Sequence, residues 1–224
     1  MANGAPVDDR GGRARAPWPE LGFLGAVFLY VWPVTDPSLQ FESSPWFPAF
    51  SLGSDFLRPF LFRPGGLTQY VSAYLSQYHY YAWGGAAITT GAAAVLMWAA
   101  RTYIAGCVRS GSSVRPVAHY VVPVLVVIVC NQFGFHLASL VGLAIVACWA
   151  AGYTRLGVRS SGLRASALLA GSGLVYYVVG PPLIVAALMI GLCELSRGER
   201  LLGLVGLLCA EVVPYVGGVM MAGF

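Results

Sequence analysis

From Leu21 onward the sequence is a succession of apolar runs separated by short polar breaks, and this patterning constrains the fold more than any motif does. Seven runs stand out: Leu21 to Thr35, Trp83 to Ala100, Val117 to Phe133, His136 to Tyr153, Leu163 to Val179, Pro182 to Leu195, and Leu201 to Phe224. Hydrophobic residues make up 58% of the chain and charged residues only 10%, a balance outside that of soluble globular domains. The class is therefore an integral membrane protein. Backbone groups in lipid must be satisfied within their own segment, which makes runs of this length helices. The expected fold is an all-α polytopic helical bundle with about seven transmembrane helices. A full crossing takes roughly 20 residues. The fifth and sixth runs are shorter and are parted only by Gly180-Pro181-Pro182, so they are either two tight spans or one broken hairpin.

Charge favours two spans. All thirteen basic residues are arginine. Arg10, Arg13 and Arg15 precede the first run; Arg101, Arg109 and Arg115 follow the second; Arg155, Arg159 and Arg164 follow the fourth; Arg197 and Arg200 follow the sixth. The alternate connections hold only Arg58 and Arg63. Positive connections stay in the cytoplasm, so residues 1–18 read as a cytoplasmic tail and 19–224 as the membrane domain. Residues 36–82 then form an extracytoplasmic loop, Gly180-Pro181-Pro182 an outer turn, and the C-terminus lies outside. Arginines this dispersed exclude a nucleic-acid surface. Pro33 and Asp36 stand where a signal-peptidase site would need small residues, so the first run reads as an uncleaved anchor. The last run reaches Phe224 with no polar tail, so a natural end there and a continuation beyond it both stay open. The five cysteines avoid the outer loop, are expected to be packing residues, and form no CxxC pair that would suggest a metal.

Within the outer loop, the side chains of Leu67, Tyr70, Val71, Tyr74, Leu75, Tyr78, Tyr81 and Ala82 fall on one helical face. Thr68, Gln69, Ser72, Ser76 and His79 fall on the other. Tyrosine prefers the headgroup level, so residues 67–82 are expected to form an amphipathic helix in the outer interface, leading through Trp83 into the second span. Tyr70, Tyr74, Tyr78, Tyr81 and Trp83 would be its interfacial anchors. The paired hairpins around Asn131 and Gly180 echo one another weakly, with Cys148 and Arg155 recurring about 45 residues on at Cys193 and Arg200.

The stretch RPGGLTQYVSAYLSQYHYYAWGGA, together with SDFLRPF upstream, NQFGFHLASLVGLA and YYVVGPPLIVAALMIGLCEL, resembles an uncharacterised family of bacterial polytopic membrane proteins, a domain of unknown function. The resemblance runs from about Asp55 onward. It implies a helical protein of the bacterial inner membrane and brings no activity with it. Members of that family continue into a long helical extracytoplasmic region, and small residues would be more typical of them where Pro181-Pro182 stands here.

Chemistry must come from polar groups that are costly where they sit. Glu211 lies mid-way along the last run, three residues before Pro214, and is either functional or a hydrogen-bonded helix contact. Asp36, Glu42 and Asp55 are the outer-loop acids. By analogy with membrane glycosyltransferases that use polyprenyl-phosphate sugars, Asp55 or Asp36 would act as general base, with Arg58 and Arg63 on the lipid phosphate. The alternative is that Asp55 caps the FLRPFLF helix and the arginines meet phospholipid headgroups. His119 and His136 stand at opposite ends of the third run, too far apart to share a metal, and no nucleotide, hydrolase or metalloprotease motif is present. Gly84-Gly85 with Gly91, and Gly203 with Gly206, are expected at close helix contacts. No cofactor is implied.

Two readings follow. The first is a membrane anchor or assembly module, with membrane lipids and another membrane subunit as partners. The second is a glycosyltransferase-like or transporter-like protein acting on a lipid-linked substrate at the outer face.

Overall fold

The computed structural model describes residues 18–35, 50–107, 117–131, 136–156 and 160–222. Asp36 and Glu42 lie outside the described residues. Helices account for nearly all of the rest: α1 (Trp18–Tyr30), α2 (Ser54–Leu61), α3 (Gly66–Ser76), α4 (Ala82–Cys107), α5 (Val121–Cys130), α6 (Leu137–Arg155), α7 (Ser161–Val179), α8 (Leu183–Ser196) and α9 (Arg200–Ala222). Each of the seven apolar runs forms a helix. Four of these, α4, α6, α7 and α9 through Gly217, are long and apolar enough to cross a membrane, whereas Ala118–Cys130 and Leu183–Ser196 are shorter apolar helices. At about 1.5 Å per residue α4 alone is about 39 Å long, more than a roughly 30 Å hydrocarbon core.

Contacts between helix ends show that α1, α4, α5, α6, α7 and α8 alternate in direction along the chain, so that α4 and α6 run parallel with the short α5 between them. At one end Glu20 of α1 pairs with Arg101 of α4. At that same end Arg155, closing α6, bonds Thr102 of α4, and Arg164, opening α7, pairs with Glu194 near the end of α8. At the other end Thr35 bonds Asn131, which follows α5, and the turn after α7 meets the loop before α3. Pro33 has no amide hydrogen to give to a regular ladder, and α1 finishes there as a π-helical turn, Val31–Thr35.

The main core lies where α6, α7 and α8 meet, around Val146, Ala150, Tyr153, Leu168, Leu183 and Ile190. Glycines decide how closely α9 approaches α8. A Cβ on Gly206 would lie 2.8 Å from Gly191 Cα, and one on Gly203 would strike Leu195. The expectation for Gly203 and Gly206 holds. It fails at Gly91, which has open space around it, and at Gly84, whose neighbour is the carbonyl of Tyr78 in the turn entering α4.

The interface helix differs from its expectation in two ways. It is α-helical only to Ser76 and continues as a 3-10 turn, Gln77–Tyr80. Its polar face, apart from the exposed Gln69, is buried as well. Thr68, Ser72, Ser76 and His79 are buried against the bundle, while Val71, Tyr74 and Tyr78 point outward. Short hydroxyls can be buried there because each returns to a backbone carbonyl, Ser72 to Thr68 at 2.7 Å and Ser76 to Ala73 at 2.8 Å. The large rings are left outside because the small side chains allow α3 to sit close to α6 and α7.

Gly66 permits the sharp return from α2 to α3, since a Cβ there would lie 1.9 Å from the Phe60 carbonyl oxygen. Gly66→Ala is expected to cost about 1–3 kcal/mol and to detach α2. Gly91→Ala, in open space inside a helix, is expected to be neutral or stabilising by about 0.5–1 kcal/mol. Unfolding midpoints of the two variants in one detergent check the contrast; equal shifts would refute it.

Candidate functional site

Polar and charged side chains gather at the two ends of the bundle. At the end bearing Gly180, the last carbonyls of α7 have no intrahelical donor. The loop before α3 supplies donors: the Gly65 amide donates to Tyr177 O at 2.9 Å and the Thr68 hydroxyl to Val178 O at 2.8 Å. In return the Tyr177 hydroxyl donates to Leu61 O at 2.7 Å. Gly65 and Gly180 both have positive φ, 77° and 76°, and a Cβ on Gly65 would lie 2.7 Å from Val179 O. The Pro-Gly-Gly loop and the Gly-Pro-Pro turn are thus one backbone-to-backbone joint, and it positions α3.

Above that joint lies an aromatic cluster. Tyr70 is packed among Phe50, Phe56 and Phe60, with centroids 5.1 to 6.0 Å away, and so joins α2 to α3. Tyr74 and Tyr78 share a hydroxyl hydrogen bond of 3.0 Å. These two, with Tyr80, Tyr81 and Trp83, form an exposed aromatic band. His79 is buried on the opposite side, and burial holds its pKa below the ordinary histidine value, with its Leu75 backbone contact acting the other way.

Asp55, Arg58 and Arg63 are exposed on and after α2. Asp55 is not the cap of α2. Gly53 holds that position with no side-chain cap, and Asp55 lies in the first turn, where its charge complements the helix dipole. Among the described residues no hydrogen bond or ion pair joins Asp55, Arg58 and Arg63. Glu211 is exposed on α9, on the face that carries Leu204, Leu208 and Tyr215, away from the α8 contact.

The other end holds the group that sequence reasoning passed over. Glu194 has no exposed surface; Arg164 of α7 pairs with one carboxylate oxygen, and Arg197 Nη1 lies 3.3 Å from the other. Arg197 Nη2 also donates to Gly106 O at 3.0 Å and Thr154 O at 3.1 Å, carbonyls at the C-terminal ends of α4 and α6. One arginine therefore answers the orphan acceptors of two helices while its charge is balanced by a buried carboxylate. Arg155 lies 5.9 Å over the Trp98 ring. Glu194 falls inside the apolar Pro182 to Leu195 run and was given no polar role there; the available signal was an acid followed three residues later by Arg197.

Next to Glu194, Cys193 is joined to Cys107 by a disulfide. This corrects the expectation that all five cysteines are packing residues; Cys130, Cys148 and Cys209 are not disulfide-bonded. His119, expected as an interfacial residue, is buried with its Nε2 3.8 Å from Glu20. Among the described residues no group of three metal-ligating side chains occurs.

The architecture and its two polar ends define an all-helical bundle with several helices of membrane-crossing length. The chain belongs to DUF6057, a family of unknown function whose sequence model matches residues 21–224, in agreement with the resemblance stated above. No curated protein and no solved structure matches it.

Removing one partner of a buried ion pair leaves an uncompensated charge. Arg164→Met is therefore expected to cost about 3–5 kcal/mol, and Arg164→Met combined with Glu194→Leu to recover most of that loss. A double variant no more stable than the single one in chemical unfolding would refute the arrangement.

His79 has a folded pKa below its unfolded one, so acid favours the unfolded state. Stability should fall as pH drops below about 6.5, and His79→Gln should flatten that slope in thermal melts. An unchanged slope would assign the dependence elsewhere.

Proposed function

We propose that the chain is a membrane anchor or assembly module of the bacterial inner membrane, crossing it seven times with the N-terminus in the cytoplasm. The observation that carries this reading is the outward band of Tyr74, Tyr78, Tyr80, Tyr81 and Trp83, which runs from α3 through the 3-10 turn into the start of α4, beside the buried small polar side chains of α3. Rings with an apolar body and a polar edge suit the headgroup level. The alternating helix directions support the crossing count, with α5 and α8 as short crossings. The clustering of Arg101, Arg155, Arg164 and Arg197 at the opposite end supports the orientation.

Membrane lipids are the expected partners, and a further membrane subunit is the expected client of the aromatic platform. Asp55, Arg58 and Arg63 contribute headgroup contacts in this reading. One observation pulls against the orientation: the Cys107–Cys193 disulfide lies at the arginine end, which is then the reducing side.

The test uses Ser51→Cys, at an exposed position before α2. It should react with a membrane-impermeant thiol reagent from outside intact cells or spheroplasts; labelling only after lysis would overturn the orientation. Native mass spectrometry of the gently extracted protein should show ordinary phospholipid, unchanged by Arg58→Ala with Arg63→Ala. A polyprenyl phosphate or its sugar conjugate that disappears in that variant would instead establish the lipid-linked-substrate reading.

A further inference from the structure

We infer that the Cys107–Cys193 bond is a reversible redox clasp that sets how far α4 and α8 separate beside an apolar cavity they share. Cys107 is the last residue of α4 and Cys193 lies in the last turn of α8, 86 positions further along the chain. Few other ties hold these two helices. The Tyr103 hydroxyl donates to Met189 O at 2.6 Å, and Arg197 donates to Gly106 O at 3.0 Å. Toward the middle of the bundle the helices part around a cavity of about 290 Å³, lined by Leu96 and Ala100 of α4 and by Val185 and Met189 of α8. Val126 of α5 and Val146 of α6 complete the wall. The cavity opens to the outside past the exposed Leu125 and Val129 and keeps α4 and α8 apart there, so the clasp ties the two helices where side-chain contact between them is sparse.

The reversibility rests on the orientation proposed above. Disulfides on the reducing side of a membrane are rare, and those that occur are transient or redox-sensing. The two sulfurs also differ in access: Cys193 is buried, while Cys107 is partly exposed at a helix end. A low-molecular-weight thiol such as glutathione can therefore attack Cys107 Sγ as its thiolate. That forms a mixed disulfide and releases Cys193 as a thiolate, which takes up a proton. A second thiol attacks the mixed disulfide at the glutathione sulfur, frees Cys107 and leaves as oxidised glutathione. Two protein thiols and one small disulfide result, so electrons and protons balance. In the opened state α4 keeps its hydrogen bonds to Met189 and Arg197 but loses its covalent limit. Arg197, which also faces Glu194 and Thr154, then remains as a tie between the two helix ends beyond Tyr103.

The experiment takes the full chain in phospholipid nanodiscs through glutathione buffers from oxidising to reducing, quenches with acid, alkylates after denaturation and reads the intact mass. Three alkylated cysteines (Cys130, Cys148 and Cys209) are expected in oxidising buffer and all five in reducing buffer. Hydrogen exchange over residues 103–107 and 193–197 should rise about tenfold on reduction, as local opening does when a tie is lost, while residues 137–140 stay unchanged. Cys107→Ser should exchange like the reduced protein in both buffers. Five alkylated cysteines at every ratio would mean no bond forms, and three at every ratio would mean a static staple; either result overturns the clasp. Exchange in oxidised protein equal to that of Cys107→Ser would overturn it too. Orientation is read separately from the Ser51→Cys labelling, so a reversed bundle and a failed clasp give different results.

Discussion

The carbonyls that a helix leaves unpaired at its C-terminus are the constraint on which this bundle depends. Where helix ends meet inside the bundle they take donors from elsewhere in the chain. Arg197 answers for α4 and α6, and the Gly65 amide and Thr68 hydroxyl answer for α7. Each solution fixes its surroundings. A guanidinium brought that far inside requires an anion, so Glu194 is buried beside it and Arg164 is drawn in from the next helix. A backbone amide used as donor requires two main chains in contact, so Gly65 and Gly180 have no side chains to separate them.

The two ends are held by different physics. At the arginine end the ties are long-range charges, carried by side chains that reach across helices, with a disulfide beside them. Breaking one partner there leaves a buried charge, which is far costlier than losing the pair together. At the glycine end the ties are short and steric, and they position α3 and the exposed rings of Tyr74, Tyr78, Tyr80, Tyr81 and Trp83 that follow from it. The middle is held by aliphatic packing around Val146, Leu168 and Ile190, and it is incomplete where α4, α5, α6 and α8 leave an apolar cavity.

Most of the helices were legible in the sequence, because apolar runs bounded by arginine or by Gly-Pro pairs leave the backbone no other way to satisfy itself. The amphipathic stretch after Pro64 was legible as a helix and its tyrosine face as the outward one. Its other face was misjudged. Thr68, Ser72 and Ser76 look water-facing in a periodicity argument, yet Ser72 and Ser76 are satisfied by local carbonyls, Thr68 by the Val178 carbonyl of α7, and all three are small enough to bury. Tyr70, read as an anchor, instead fills a cluster with Phe50, Phe56 and Phe60, a contact made by residues up to 20 positions apart. The Arg164 partner of Glu194 and the Cys107–Cys193 pair were invisible for the same reason, since each joins two different helices.

By itself, then, the sequence determined the class, the helix positions and the charge asymmetry between the two ends, all of which depend on local composition and period. Tertiary structure decided which face of α3 is buried, that Gly65 meets Gly180, that Arg197 closes two helices at once, and that a carboxylate near the end of α8 becomes the centre of a buried ion pair. These depend on distances between segments far apart in the chain, which hydrophobic periodicity does not encode.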